Sequence, residues 1–253
     1  MKGLYIWIWS IALLAYGCGD DKGDRMLTIA AAANMQFAME EMEAAFTEAT
    51  GIPCELVISS SGKLTAQIRE GAPFDVLISA DMKYPEELYR MGLTATAPEI
   101  YGYGKLVLWT LQEYPELDIQ TLQSDQVRHV ALANPSTAPY GRAAVEVLEH
   151  YGLYEQVEDK LVFGESIAQT NQFILSRAAE IGFTALSVVR ASELSGPGRW
   201  VELDSAAYQP IAQGVVVIGK SGEANDDAIA FRDFLFSEEG RKILTKFGYA
   251  PNE

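Results

Sequence analysis

The stretch LVISSSGKLTAQIRE, residues 56–70, passes from an apolar run through three serines into a segment with helical spacing of its apolar residues. This pattern predicts a buried strand, a turn and an amphipathic helix. The first turn of a helix has backbone N–H groups without partners inside the helix, and the helix dipole adds partial positive charge there. Because Ser59, Ser60 and Ser61 add neutral hydroxyl donors, the turn could hold an oxyanion. The simpler interpretation is that one serine caps the helix.

A second turn of the same kind lies upstream, where Leu27-Thr28-Ile29 leads through four alanines to Asn34 and then to a segment with helical spacing. Asn34 is predicted to cap that helix. The small residues before it, Ala33 among them, would let the backbone approach a ligand. Two strand ends that carry capped helices, in one half of an α/β sheet, can converge on the crevice at its carboxyl edge. The pair of turns therefore favours an anion site over a plain cap.

The composition narrows the class of protein. The chain has 253 residues, 49% of them hydrophobic, and a formal net charge of −16. These values are typical of a globular protein with one large domain or two small ones. The charge argues against nucleic acid as a partner, since phosphate contacts need clustered lysine and arginine. An acidic chain that binds an anion must do so through local donors.

The first 18 residues, MKGLYIWIWSIALLAYGC, combine one basic residue with an apolar run and a small residue before Cys18. This is typical of an export signal, and the run is shorter than the roughly 20 residues that a spanning helix needs. The last four residues resemble a bacterial lipobox, so Cys18 is predicted to be lipidated, with residues 19–25 as a tether. We expect the protein in the periplasm or on the outer face of the cytoplasmic membrane. Cys54 is then predicted to be a small, buried apolar side chain.

Strand-like runs alternate with helical ones along most of the chain, which predicts an α/β fold with mixed sheets covered by helices. The chain is expected to form two lobes with a ligand cleft between them. It would cross to the second lobe near Tyr103 and return near Gln213. The predicted bounds are residues 26–103 with 214–253 for the first lobe and residues 104–213 for the second.

Four blocks of the sequence carry a family resemblance: AAAN (31–34), SSSGKLTAQIREGAPFDVLISAD (59–81), NPSTAPYGRAAVEVL (134–148) and FRDFLFSEEGRKILTKFGYAP (231–251). Together they resemble the molybdate-binding proteins that serve ABC importers, which are type II periplasmic binding proteins. The resemblance implies two lobes that close over a desolvated tetrahedral oxyanion held by neutral hydrogen bonds. It further implies delivery to an ABC permease in the inner membrane, no cofactor, and a monomer.

The resemblance also implies the binding residues. Asn34 falls where the family donates side-chain and backbone hydrogen bonds, and Ser61 falls at the serine contact of the second turn. Tyr140 and Ile167 fall at backbone N–H donors, with Ala33 and Ser60 as possible secondary contacts. One branch of the family uses a tyrosine hydroxyl where this chain has Ala185. We hypothesise that the Tyr140 hydroxyl fills part of that gap.

A site of hydroxyl and N–H groups has donors and few acceptors, which suits a fully deprotonated dianion such as molybdate, tungstate or sulfate. Hydrogen phosphate carries a proton that needs an acceptor. The choice of molybdate or tungstate over sulfate rests on the resemblance alone, so a binding protein for sulfate or another tetrahedral oxyanion is the alternative. Lys63 is interpreted as pointing into solvent, since a buried unpaired lysine would be costly. Asp81 is interpreted as a helix cap.

A serine enzyme is the rival interpretation, because Ser60-Ser61-Gly62-Lys63 has the spelling S-x-x-K. Ser124-Asp125-Gln126 and Lys220-Ser221-Gly222 follow in the order of the penicillin-binding and β-lactamase signatures. Gln126 departs from the required asparagine, and Ser221 replaces the usual threonine. Short triplets of this kind also occur by chance. We therefore predict a binding protein and not an enzyme, with Ser60 and Lys63 as the nucleophile and base of the alternative.

Overall fold

The computed structural model describes residues 26–191, 198–220, 223–250 and 252. The predicted leader with Cys18, the tether 19–25, and Ser221 and Gly222 lie outside these ranges. Within them the strands are β1 Leu27–Ala32, β2 Cys54–Ser59, β3 Val76–Ser79, β4 Glu99–Gly104, β5 Leu106–Thr110, β6 Val130–Ala133, β7 Leu161–Gly164, β8 Ile181–Ala185, β9 Arg199–Glu202 and β10 Ile211–Val217. The α-helices are α1 Gln36–Thr50, α2 Ser61–Arg69, α3 Lys83–Arg90, α4 Pro139–His150, α5 Tyr154–Val157, α6 Ile167–Leu175, α7 Leu186–Arg190, α8 Asp226–Leu235 and α9 Glu238–Lys246.

The strands form two five-stranded mixed sheets, which confirms the predicted fold class. The first sheet has the order β2-β1-β3-β10-β4, and the second has the order β7-β6-β8-β5-β9. In the first sheet β1 pairs in parallel with β2 and β3, while β10 runs antiparallel to β3 and β4. In the second, β6 is parallel to β7 and β8, and β5 is antiparallel to β8 and β9. Each sheet is the centre of one lobe.

The chain passes between the lobes at two places. It leaves the first sheet at the end of β4 and enters the second at Leu106, after the single residue Lys105. It returns after β9 through β10, which begins at Ile211 and pairs with strands of the first sheet. The predicted return at residue 214 therefore falls within β10.

Both faces of the first sheet are covered, which explains why β3 is an unbroken buried run and not an alternating one. On one face α1 packs against α8, with the rings of Phe46 and Phe231 edge to face at 5.1 Å. On the other face Leu64, Ile68 and Leu88 from α2 and α3 pack on the sheet. Such burial of apolar area, at about 25 cal/mol per Å², is the main force that holds the lobe together.

Cys54 begins the edge strand β2 and is partly buried against the core of the first lobe. Burial raises the pKa of its thiol to about 12, so the thiol stays protonated and behaves as a small apolar group. Across the described ranges, no helix has the length and apolar character needed to span a bilayer.

Parallel pairing determines where the site lies. The carboxyl ends of β1, β2 and β3 meet at one edge of the first sheet, because these neighbours run in the same direction. The carboxyl ends of β6, β7 and β8 meet in the same way at one edge of the second sheet. The turns that follow these strands therefore gather at the two edges, as expected for ligand sites of open α/β sheets.

Candidate functional site

A small cavity lies where the two sheet edges face each other. Its volume is about 200 Å³, with the solvent at its mouth included. The residues that line it are Ala32, Ala33, Asn34, Ser60, Ser61, Ala80, Ala138, Pro139, Tyr140 and Ile167. They include the predicted contacts Asn34, Ser61, Tyr140 and Ile167 and the secondary ones, Ala33 and Ser60. The structure thus brings together in one cavity all the residues that the sequence predicted as oxyanion contacts.

Four helical N-termini converge on this cavity, two from each lobe. They are the 3₁₀ turn Ala33–Met35 and α2 in the first lobe, and α4 and α6 in the second. The first N–H groups of a helix have no acceptor inside it. Ala32, Ser60 and Ala138, which precede three of these helical segments, make no side-chain cap bond. At these three segments no cap side chain competes with an anion for the first N–H groups, and the helix dipoles favour an anion there.

Pro139 determines which N–H group α4 offers. It is the first residue of the helix, and proline has no N–H while its fixed φ suits that position. The first donor of α4 is therefore the main-chain N–H of Tyr140. In α6 the first residue is Ile167, whose main-chain N–H leads the helix.

The two serines at the start of α2 have different surroundings. Ser61 is fully buried, and its Oγ accepts a hydrogen bond from the Ala80 N–H at 2.9 Å, so its own hydroxyl proton can be donated elsewhere. Ser60 is also buried, and its Oγ has no hydrogen-bond partner among the described residues. The plain capping interpretation is therefore wrong for Ser60, which occupies the cap position without making the cap bond.

Asn34 does not cap α1, contrary to the prediction. It lies inside the 3₁₀ turn, and Met35 precedes α1. The Asn34 Nδ2 group donates to Gln213 Oε1 and to Tyr249 Oη, each at 2.9 Å. Both amide protons are thus already used, which leaves the main-chain N–H as the donor that Asn34 can offer to a ligand.

Tyr140 is buried, and its hydroxyl points into the polar groups behind the cavity. Its Oη accepts a hydrogen bond from Gln213 Nε2 at 3.4 Å. Burial raises the pKa of the Tyr140 hydroxyl well above its usual range, so it stays neutral. Ala185 is buried at the end of β8 and does not line the cavity. The contact between the Tyr140 hydroxyl and a ligand stays a prediction.

Charged side chains pair with one another around the cavity instead of lining it. Lys63 was predicted to point into solvent, but its Nζ forms a partly exposed ion pair with Glu165 of the other lobe. Asp81 accepts a hydrogen bond from the Tyr84 N–H at 3.4 Å, as a cap would, and it also pairs with Arg142 across the lobes. Burial raises the pKa of Asp81, while Arg142 acts in the opposite direction. Among the described residues, none that lines the cavity carries a carboxylate or a cationic side chain.

The residues of the serine-enzyme signature are not brought together at the cavity. Lys63 Nζ is bonded to Glu165, and Ser60 Oγ has no described partner that could take its proton. Ser124 follows a 3₁₀ helix of the second lobe and is not a cavity residue. Within the described ranges, no group of three or more potential metal-ligating side chains is present.

Sequence reasoning missed Ala32, Ala80, Ala138 and Pro139 as cavity residues. Ala80 could have been found, since it directly follows β3, and β3 is a parallel neighbour of β1. It also missed Gln213, Tyr101 and Tyr249, which are hydrogen-bonded behind the cavity. No local signal marks these three, because their partners are far away in the sequence.

Comparison with known proteins places this geometry in a family. The family model described as bacterial extracellular solute-binding protein matches residues 27–250. The chain belongs to this solute-binding protein family. Among its relatives, the molybdate-binding protein ModA of Rhodobacter capsulatus is 38% identical over 87% of this chain and 86% of its own length. ModA of Azotobacter vinelandii is also 38% identical, over 87% of this chain and 88% of its own length.

The solute-binding fold also has a close structural counterpart. A solved periplasmic molybdate-binding protein of Azotobacter vinelandii superposes with a TM-score of 0.84 at 31% identity, covering 90% of this chain and all of that one. This confirms the two-lobed binding-protein architecture. It also confirms the family resemblance that the four sequence blocks carry.

Proposed function

We propose that this solute-binding protein captures molybdate or tungstate outside the cytoplasmic membrane and delivers it to an ABC permease. The observation that carries the proposal is the convergence of four helical N-termini and two serine hydroxyls on one small cavity without charged walls. The names of the ModA relatives support the choice of oxyanion. The protein is proposed to act as a monomer, without a cofactor and without catalysis.

The donor set selects the protonation state of the ligand. Main-chain N–H groups and the Ser61 hydroxyl can donate hydrogen bonds, and no carboxylate is among the described residues that line the cavity. A fully deprotonated dianion matches such a set, whereas the proton of hydrogen phosphate would find only serine oxygens as side-chain acceptors.

Closure follows from the placement of the donors. The N–H groups of Asn34 and Ser61 belong to one lobe, and those of Tyr140 and Ile167 belong to the other. A ligand that contacts all four stabilises the closed arrangement, because an open cleft would offer it half of the donors. The Gly62 N–H, which donates to Thr137 O at 2.9 Å, is a direct contact between the lobes in this arrangement.

The proposal includes the location of the protein outside the cytoplasmic membrane. Membership of an extracellular solute-binding family agrees with export. We propose that Cys18 is the lipidated residue and that residues 19–25 tether the lobes to the outer face of the membrane. Metabolic labelling with a fatty acid should then mark the wild type and fail to mark Cys18→Ala.

Calorimetric titration of the purified protein with molybdate, tungstate, sulfate and phosphate tests the ligand assignment. We expect tight binding of molybdate and tungstate, weaker binding of sulfate and none of phosphate. Ser61→Ala should weaken molybdate binding by about tenfold, the effect of one hydrogen bond to a charged group. Ser59→Ala is the matched control, since Ser59 ends β2 outside the cavity. Absence of oxyanion binding would reject the function, and preference for sulfate would reject the choice of anion.

A further inference from the structure

Gln213 is a fully buried amide directly behind the cavity. It lies on β10, the strand on which the chain returns from the second lobe. The pairing of β10 with β4 shifts register between Gln213 and Gly214. The residue that this shift leaves without a partner is Tyr101 of β4, and irregularities of this kind re-aim a side chain next to functional sites. The irregularity thus lies opposite Gln213, at the tyrosine whose hydroxyl is hydrogen-bonded to it.

The two ends of the Gln213 side chain contact different lobes. Its Oε1 accepts hydrogen bonds from Asn34 Nδ2 at 2.9 Å and from Tyr101 Oη at 3.2 Å, both in the first lobe. Its Nε2 donates to Tyr140 Oη at 3.4 Å, in the second lobe. Asn34 lies in the 3₁₀ turn at the cavity, and Tyr140 carries the first main-chain N–H group of α4. One amide therefore joins a donor segment of each lobe.

The surroundings leave little room for movement. Tyr249 Oη and Ser187 Oγ donate to the main-chain oxygen of Asn34 at 2.9 and 2.7 Å, which holds the turn from the other side. A Cβ added at Gly104 would overlap Tyr140 Oη and would lie 2.6 Å from Gln213 Nε2. The hydrogen-bonded groups are therefore packed against the strand at which the chain crosses between the lobes.

We propose that Gln213 is a positioning residue of the oxyanion site, which holds the Asn34 turn of one lobe and the Tyr140 helix of the other at the spacing that the ligand requires. This inference rests on the proposed function. In this proposal Gln213 does not contact the ligand. Its effect is transmitted through the main-chain donors that its hydrogen bonds hold in place.

The chemistry of the amide suggests a discriminating substitution. An amide accepts on one side and donates on the other, as a protonated carboxyl also can, while a carboxylate only accepts. Gln213→Glu should therefore substitute for glutamine when protonated. When ionised it can no longer donate to Tyr140 Oη, and its negative charge should repel the dianion. Gln213→Leu keeps much of the volume and removes all the hydrogen bonds.

The titratable groups that face position 213 are the hydroxyls of Tyr101 on β4, Tyr140 on α4 and Tyr249 after α9. Burial raises the pKa of each of them, so they stay neutral over the working range. In the described part of the chain, no charged side chain is hydrogen-bonded to Gln213. A pH response of Gln213→Glu can therefore be assigned to the new carboxyl group, whose pKa burial would raise toward neutrality.

The experiment is calorimetric titration of molybdate at about pH 6 and about pH 9, with thermal unfolding of each variant measured without ligand. We expect Gln213→Leu to lose about tenfold or more in affinity at both pH values. Gln213→Glu should bind within about threefold of the wild type at the lower pH and at least about tenfold more weakly at the higher one. Thr110→Val is the matched control, because it removes a buried hydrogen bond, to Glu180 O, at the far end of β5. It should bind as the wild type does.

Tyr140→Phe provides an independent measurement, since it removes the acceptor for Gln213 Nε2 and leaves the main-chain N–H in place. It should weaken binding, and combining it with Gln213→Leu should add little further loss. Failure of the wild type to bind any oxyanion would reject the proposed function itself. If the wild type binds, the positioning role is overturned by a Gln213→Glu affinity that follows the wild type at both pH values. Full additivity of Tyr140→Phe and Gln213→Leu would overturn it as well.

Discussion

Ser60 is at the cap position of α2, but its hydroxyl makes no hydrogen bond to the helix, unlike that of an ordinary cap. A buried hydroxyl without a hydrogen bond costs about 1–3 kcal/mol, and Ser60 Oγ is in that state among the described residues. An oxyanion in the cavity would supply the missing acceptor. We therefore expect the Ser60 hydroxyl to contribute to ligand binding and not to the stability of α2.

Ser60→Ala tests this difference. Removing an unsatisfied hydroxyl should leave the melting temperature of the ligand-free protein unchanged or raise it, whereas loss of a true cap lowers stability by about 1 kcal/mol. Molybdate affinity should fall by about three- to tenfold. Thermal unfolding and calorimetry on the same preparations separate the two effects. A destabilised variant with unchanged affinity would restore the capping interpretation.

Gly104 is a position where a single added carbon atom would clash with the Tyr140 hydroxyl. Gly104→Ala would place a methyl group against Tyr140 Oη, and overpacking of this kind costs about 1–3 kcal/mol. Tyr140→Phe removes the oxygen that the methyl group meets. We expect the double variant to be more stable than Gly104→Ala alone, as measured by urea unfolding. Equal stability of the two would show that the clash lies elsewhere.

At the scale of elements, the sequence predicted well what depends on local pattern. Strands β7 and β8 and the helix starting at Pro139 follow from apolar runs and from proline at the first turn, which act over a few residues. The gathering of Asn34 and Ser61 was predictable too, because the carboxyl ends of parallel strands share an edge. The partners of Asn34 were not predictable, since Gln213 and Tyr249 are 179 and 215 residues away. Packing of whole elements decides such contacts.

The contact between α4 and the turn before α3 was also not predictable from local sequence pattern. Asp81 was expected to be a cap, but it also pairs with Arg142 of α4 across the lobes. Burial raises the pKa of Asp81, and Arg142 only partly offsets the effect. Pairs of this kind contribute little net stability, yet loss of one partner leaves a costly unpaired charge.

Replacing either member of this pair should therefore give unequal results. Arg142→Leu should weaken molybdate binding by roughly tenfold at neutral pH, because closure then buries Asp81 without a counter-charge. Asp81→Asn should change affinity by less than about threefold, because the Arg142 side chain is 30% exposed against 16% for Asp81 and the new amide oxygen can still accept a hydrogen bond from it. Calorimetry at neutral pH compares the two directly.

The direction in which molybdate affinity changes with pH follows from the raised pKa of Asp81. A carboxyl whose pKa is higher in the closed form favours closure when protonated, and this advantage is lost as pH rises above that pKa. Affinity of Arg142→Leu should thus recover as pH is lowered from about 7 to about 5. An affinity that falls over this range would contradict the assignment, and Asp81→Asn serves as the control without the titrating group.

For the whole molecule, the net charge of −16 opposes the ligand that the site is built to hold. At the proposed site, N–H groups and hydroxyls would attract a dianion at close range, while the rest of the surface repels it at long range. Salt screens the long-range part much more than the buried contacts. Affinity and selectivity therefore arise in the cavity, and the surface charge acts on the approach of the anion.

We consequently expect molybdate binding to strengthen as chloride salt is raised from about 10 to about 150 mM, where the screening length shortens from about 30 to about 8 Å. The association rate should rise several-fold and the dissociation rate should change little, as judged by salt-dependent calorimetry and stopped-flow measurement. Sucrose in place of salt is the control for non-electrostatic effects. Binding that weakens steadily with salt would instead mean that local cations, such as Lys63 and Arg142 beside the cleft, attract the anion more strongly than the acidic surface repels it.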